Sequence, residues 1–139
     1  MHHTKHKGDL GVLKAQLDLF QKGFVVCIPQ TEHAPFDLVA CKEGKCYSFQ
    51  VKYREGKNDK LEIEFRNSHA DKNGTHSKSI DKTLIDFYCI YCPDNDKCYY
   101  FNPKKFNKSI TIRIAESIRY PKRMNTMNWH EDFLEIPEI

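Results

Sequence analysis

Phe36-Asp37-Leu38-Val39-Ala40-Cys41-Lys42-Glu43-Gly44-Lys45-Cys46-Tyr47-Ser48-Phe49-Gln50-Val51-Lys52-Tyr53 is the stretch on which the fold turns. Phe36 to Cys41 reads as a strand and Cys46 to Tyr53 as a longer one rich in β formers. The four residues between them, Lys42 to Lys45, are short enough to demand a hairpin. A hairpin fixes a register: Cys41 faces Cys46, Ala40 faces Tyr47, Val39 faces Ser48, Leu38 faces Phe49, and Asp37 faces Gln50. Facing residues share a side of the sheet, as do residues two apart along a strand. Asp37, Gln50 and Lys52 are therefore expected on one face at one end of the hairpin.

Upstream, Leu10, Leu13, Leu17 and Phe20 recur at helical spacing and predict a helix from Asp9 with one apolar stripe. Gly23 is the expected stop. Residues 1–7, with three histidines, read as a flexible arm. Phe24 to Ile28 reads as a short buried strand closed by Pro29. Downstream, residues 54–82 are polar apart from the alternating Leu61-Glu62-Ile63-Glu64-Phe65, and Asn73-Gly74 marks a turn. So long an excursion in a small domain is either a plain surface loop or a functional one. Its bases Arg54, Lys57, Lys60, Arg66, Lys72 and Lys78 suit phosphates, and Asn58, Asn67 or Asn73 suit base edges, as on a loop or β-ribbon lying in a DNA groove. Leu84 to Cys92 is the most apolar run and predicts a central strand. Cys98 to Phe101 returns beside it, and Ser109 to Ile114 is a further strand with Arg113 projecting from one face. More helix is expected near Ser79 and in the last quarter.

The chain has 139 residues, of which 40% are hydrophobic and 12% aromatic. That is one α/β domain spanning 1–139 with material for a core, and it excludes general disorder. No apolar run reaches the roughly 20 residues of a membrane span, and the amino terminus does not resemble a signal peptide. The expectation is a soluble cytoplasmic protein, nucleoid-associated in a prokaryote, with its six cysteines reduced. The net charge, 22 − 19 = +3, is mild but uneven. Lys104, Lys105, Lys108, Arg113, Arg119, Lys122 and Arg123 face a single acid, Glu116, over that stretch, whereas the last nine residues are acidic. A basic surface for a polyanion is one reading, and a solvated strand face the other. Cys89-x-x-Cys92 has zinc spacing, but on a strand those two point to opposite faces, so buried thiols are expected instead. His33, His69 and His76 fall in polar loops and read as surface residues.

One carboxylate, one amide oxygen and one lysine on a shared strand face suit metal-assisted phosphodiester hydrolysis. The oxygens hold a hard cation such as Mg²⁺, which acidifies water and offsets charge on the phosphate. The lysine positions the nucleophile and stabilises the charged transition state. The Val51 side chain turns to the core, while its carbonyl remains available to the metal. Taken one at a time, these residues are no more than turn and strand-edge positions.

Pro35-Phe36-Asp37 followed by Gln50-Val51-Lys52 across a hairpin, after a helix opened by Gly8-Asp9-Leu10-Gly11, resembles the PD-(D/E)XK nuclease superfamily. The branch it most resembles is that of group I intron-encoded homing endonucleases, whose second acidic position is often glutamine. The paired strands between Asp86 and Tyr100 and the late Asn128-Trp129 also suit that branch. The resemblance spans roughly Gly8 to Phe133. It implies a restriction-endonuclease-like core, a mixed central β-sheet flanked by helices. It also implies a site-specific endonuclease for double-stranded DNA using Mg²⁺, with Mn²⁺ as substitute, and assembled as a homodimer or homotetramer. Asp37 and Gln50 would bind metal with the Val51 carbonyl, and Lys52 would act on the nucleophile. Strand 84–92 and the apolar Phe133, Leu134 and Ile136 are candidate packing surfaces for the assembly.

Two positions depart from the family pattern. Gln50 stands where an acid is common, and Val12 stands where the helix usually carries a glutamate. Asp9 and Gln16 lie one turn from Val12. A Holliday-junction resolvase-like nuclease and a DNA-binding protein with weakened or lost cleavage remain the alternatives.

Overall fold

The computed structural model describes residues 3–71, 74–79, 82–116 and 127–138. It opens with helix α1 (His3–Gln21). Among the described residues the strands are β1 (Val25–Cys27), β2 (Leu38–Lys42), β3 (Lys45–Tyr53), β4 (Lys60–Glu64), β5 (Arg66–Asp71), β6 (Gly74–Ser79), β7 (Phe87–Cys92), β8 (Lys97–Phe101) and β9 (Ser109–Arg113). Short 3₁₀ turns occupy Pro103–Lys105 and His130–Phe133. A five-stranded sheet runs β1-β2-β3-β7-β8, and β4-β9 and β5-β6 form separate two-stranded sheets. Within the large sheet β3 and β7 are parallel and the other neighbours antiparallel, so it is mixed.

The hairpin has the register that its turn length dictates. Leu38 pairs with Phe49, Val39 with Ser48, Ala40 with Tyr47 and Cys41 with Cys46. That pairing brings the Cys41 and Cys46 Cα atoms within 4.0 Å, and the two are joined in a disulfide. The expectation of six reduced thiols is thereby corrected: register, a local geometric matter, opposes two cysteines whatever the compartment. Cys89, Cys92 and Cys98 are free and buried, and Cys27 is free and exposed.

Helix α1 differs from its sequence reading in start and face. It begins at His3, inside the stretch read as an arm, and the Lys7 ammonium lies 2.8 Å from the Glu55 carboxylate. The buried stripe is Gly11, Ala15 and Leu19, whereas Leu13, Leu17 and Phe20 are 62%, 51% and 72% exposed. Small residues let the helix lie close to β3: a Cβ on Gly11 would sit 3.6 Å from the Tyr53 Cβ and 3.7 Å from a Val51 methyl. Hydrophobic spacing marks the wrong stripe because closeness here requires small side chains rather than large ones. The helix stops at Gly23 (φ 92°), with the Phe24 N–H donating to the Leu19 carbonyl and the Gly23 N–H to that of Phe20. This is a Schellman termination.

The sheet separates two apolar clusters. On the helix side Ala15, Leu19, Phe49, Val51, Phe87, Cys89 and Tyr100 pack together. On the far side Leu61, Ile63, Phe65, Tyr88, Ile90, Tyr99, Phe101, Ile110 and Ile112 do so. The far layer is thus the β4-β9 pair, whose alternating apolar residues turn one face inward. Among the described residues helix covers one face only, so the expected flanking by helices is met by a helix on one side and a β layer on the other. The residues near Ser79 that are described add no helix, and the last quarter contributes the 3₁₀ turn His130–Phe133. Expected as buried, β1 is instead an edge strand with Val25 67% exposed. The central strand begins at Phe87 rather than Leu84, and all of β7 is buried. No described helix is long and apolar enough to cross a membrane.

Candidate active site

Asp37 sits at the bend before β2, where the partner strand β3 continues past the end of the hairpin ladder. Its backbone N–H donates to the Phe49 carbonyl at 2.9 Å. Its Oδ2 accepts the Val51 backbone N–H at 2.7 Å and the Gln50 Nε2 at 3.2 Å. The expected meeting of Asp37 with Gln50 therefore takes place through side chains. A strand residue sends its N–H and C=O from the same edge, so the Val51 carbonyl also leaves β3 on the Asp37 side. The acceptor-only carboxylate sets the Gln50 amide, nitrogen toward Asp37 and oxygen away.

Lys52 follows two residues later on the face of Gln50, and the two are half-buried. Burial is the main cause that lowers the Lys52 ammonium below the ordinary lysine range. Arg54 adds to that effect and Asp37 opposes it. Burial likewise raises the Asp37 carboxyl above its usual range, against the Val51 hydrogen bond and the nearby Lys52 charge. A carboxylate and an ammonium that sense one another, both partly withdrawn from water, carry the kind of perturbation that functional sites display.

The donor set is oxygen only: the Asp37 carboxylate, the Gln50 amide oxygen and the Val51 carbonyl. That chemistry fits a hard divalent cation such as Mg²⁺. It supplies one negative charge. Among the described residues no three His, Cys, Asp or Glu side chains gather to hold a metal, so the Cys89–Cys92 spacing has no such cluster around it. Val12, which the resemblance sets where a helix acid is expected, is half-buried and packs with the helix-side apolar cluster. Asp9 is exposed and Gln16 half-buried.

The candidate DNA-contacting residues divide into groups. Lys57, Asn58 and Lys60 are exposed on a tight turn in which Lys57 and Lys60 bond each other's backbone, and Asn58 and Asp59 take positive φ. Arg54 is half-buried and donates to the Tyr53 carbonyl. Arg66 and Lys78 lie on the β5-β6 ribbon, where Arg66 pairs with Ser79 and Asn67 with Lys78. Lys72 and Asn73 lie outside the described residues. The excursion 54–82 is thus a core strand, β4, followed by a ribbon. The ribbon's root adjoins the site: the Phe65 ring is 5.1 Å from that of Tyr88, which pairs with Gln50. Beyond the other end, Lys82 Nζ donates to the Phe106 and Asn107 carbonyls and lies over the Phe65 ring.

Other expectations change. Arg113 is 8% exposed, not projecting into solvent. Lys104, Lys105 and Lys108 are exposed, and Arg119, Lys122 and Arg123 lie outside the described residues. Strand 87–92 is buried and Phe133 and Leu134 pack on the core, so neither offers a free apolar surface. The exposed large apolar side chains among the described residues are Leu13, Leu17 and Phe20 on α1, with Val25, Ile28 and Leu84 elsewhere. A groove of about 430 Å³ beside α1, lined by Lys14, Asp18, Tyr91 and Asp96 among others, shares no residue with the Asp37 cluster. Sequence reasoning does not single out Tyr88, because only the parallel β3-β7 register sets it beside Gln50.

The family model for PD-(D/E)XK endonuclease matches residues 2–134. The structure of a bacterial homing endonuclease, I-Ssp6803I, superposes with a TM-score of 0.71 at 20% identity, covering 94% of this chain and 90% of that one. The structure of Hjc, a Holliday junction resolvase from the archaeal hyperthermophile Archaeoglobus fulgidus, gives a TM-score of 0.48 at 14% identity, covering 77% and 84%. No curated protein matches. With the hairpin, the Asp37-Gln50-Lys52 grouping and a family match over nearly the whole length, the chain belongs to the PD-(D/E)XK endonucleases.

Proposed function

We propose that this protein is a Mg²⁺-dependent, site-specific endonuclease of the intron-homing type that hydrolyses phosphodiester bonds in double-stranded DNA. The observation that carries this reading is the Asp37 carboxylate bonded to both the Gln50 amide and the Val51 N–H, with Lys52 on the same face. Mg²⁺, or Mn²⁺ in its place, supplies Lewis acidity toward water and phosphate when bound. Asp37, Gln50 and the Val51 carbonyl hold it. Lys52 orients the attacking water and offsets charge that builds on the phosphate. The β5-β6 ribbon and the Lys57–Lys60 turn contact the duplex, using bases on phosphates and asparagines on base edges.

A double-strand break requires two such centres, so the functional unit is a homodimer or homotetramer. The exposed Leu13, Leu17 and Phe20 stripe of α1 supports self-association in place of the buried strand. One observation favours a second reading, a DNA-binding protein with lost cleavage: Val12 cannot ligate a cation, which leaves one carboxylate at the site.

The test is digestion of a randomised duplex library and of four-way junctions with Mg²⁺, comparing this chain with its Val12→Glu variant. Discrete duplex products, enhanced in the variant, are expected. Preference for branched DNA would replace the homing assignment with a resolvase. Tight binding without cutting by either protein would leave the binding-only reading.

A further inference from the structure

Four tyrosines in β7 and β8 are buried, and three have their hydroxyls engaged. Tyr91 donates to Asp96 at 2.7 Å, Tyr99 meets both Asn95 and the His130 Nδ1, and Tyr100 donates to Asp18. The Tyr88 hydroxyl is the exception. Its residue is 0% exposed and the oxygen has no hydrogen-bond partner among the described residues. A buried hydroxyl left unpaired costs stability, so a fold that keeps one has a use for it or a partner that arrives later.

Its position identifies that use. Asp37, Gln50 and Tyr88 form a row across the sheet: Gln50 bonds Asp37 on one side and is in parallel register with Tyr88 on the other. The Gln50 amide has two ends. Its nitrogen is engaged by a carboxylate that can only accept, which turns its oxygen away from Asp37. Beside it stands the one tyrosine in these strands whose donor lacks an acceptor. The charged groups that the Tyr88 hydroxyl senses are Arg54 and Asp37, which agrees with an orientation toward the site.

We propose that Tyr88 is a positioning residue for this centre: its hydroxyl donates to the Gln50 amide oxygen when the site is loaded, fixing the amide between Asp37 and Tyr88. The oxygen keeps a second lone pair for the cation. The glutamine, weaker than an acid as a ligand, is thereby locked with its acceptor aimed correctly. This inference rests on the hydrolytic reading above, and Tyr88 itself touches neither substrate nor metal.

Tyr88→Phe removes only the oxygen. Three measurements on the full chain and this variant separate the outcomes: Mn²⁺ affinity by the paramagnetic resonance of free Mn²⁺, single-turnover cleavage against DNA affinity, and the thermal midpoint. The expected result is about tenfold weaker Mn²⁺ binding and about tenfold slower cleavage, with DNA affinity unchanged and the midpoint equal or higher. A merely structural tyrosine predicts a lower midpoint and unchanged Mn²⁺ affinity, and that pattern overturns the proposal. So does a variant indistinguishable from the parent in Mn²⁺ binding. If the parent binds Mn²⁺ but cuts no DNA, the endonuclease reading falls while the Mn²⁺ comparison still decides the role of Tyr88. A parent that binds no Mn²⁺ overturns both.

Discussion

The Asp37 carboxylate accepts the backbone N–H of Val51 at 2.7 Å, and the same oxygen takes the Gln50 amide. The residue assigned to metal binding thus also completes the edge of β3 beyond the last pair of the hairpin. Structural and chemical duties are separable by substitution. Asp37→Asn retains an acceptor for Val51, so cleavage is expected to vanish with little change in the unfolding midpoint. Asp37→Ala strands that N–H and is expected to cost about 1–3 kcal/mol as well. Equal midpoints for the two variants would remove the edge-capping role.

Lys52 is the next member of the site along β3. Lys52→Ala is expected to abolish cleavage, by at least about 100-fold, while duplex affinity in Ca²⁺ stays within about threefold. Unchanged cleavage would refute the role given to this amine.

Lys57 stands exposed on the turn before β4. If it meets a phosphate, Lys57→Ala weakens binding to all sequences alike and lowers the slope of log affinity against log salt by about 1. A parallel salt dependence in variant and parent would move the DNA contact elsewhere.

Gly11 tests how the helix docks. The atoms nearest to a methyl added there lie at 3.6–3.7 Å, ordinary contact distances, and its φ is not positive. Gly11→Ala should therefore stabilise the protein by about 0.5–1 kcal/mol through helix propensity. Leu at the same place should destabilise by overpacking, about 1–3 kcal/mol. Denaturant titration of both variants decides the matter, and a destabilised alanine variant would contradict the close-packed geometry.

The buried tyrosines predict alkaline behaviour. Burial pushes Tyr99 up to about 12 and raises Tyr91 and Tyr100 too. An unfolded tyrosine ionises near pH 10. Since the folded values are raised, their contribution is intact below about pH 10. Above it, the unfolded chain releases protons that the fold retains, so stability falls as pH rises toward 12. The slope is about 1.4 kcal/mol per pH unit for each such tyrosine. Denaturant midpoints at pH 8, 10 and 11 measure it, and a flat profile would mean that these rings are accessible.

The hairpin is readable in the sequence because a four-residue connection leaves little freedom, and Asp37 and Gln50 follow from it. The same register places Cys41 opposite Cys46, yet a compartment argument makes them thiols; local geometry is the better guide. Helix α1 misleads for the opposite reason. Leu13, Leu17 and Phe20 form a persuasive apolar stripe, but contact with β3 is made through Gly11, Ala15 and Leu19. Periodicity counts large apolar groups and is blind to how near a backbone must come. Tyr88 is illegible because its neighbour Gln50 lies 38 residues earlier, across a parallel crossover that no local pattern announces.

The ribbon of β5 and β6 leaves the body between Phe65, seated on Tyr88, and Lys82, tied to the carbonyls of Phe106 and Asn107. On the proposed function, reading head and cutting floor are distinct parts that meet at these two anchors. On that reading, a foreign hairpin spliced between the anchors would change which sequences are visited while leaving the chemistry beneath it intact.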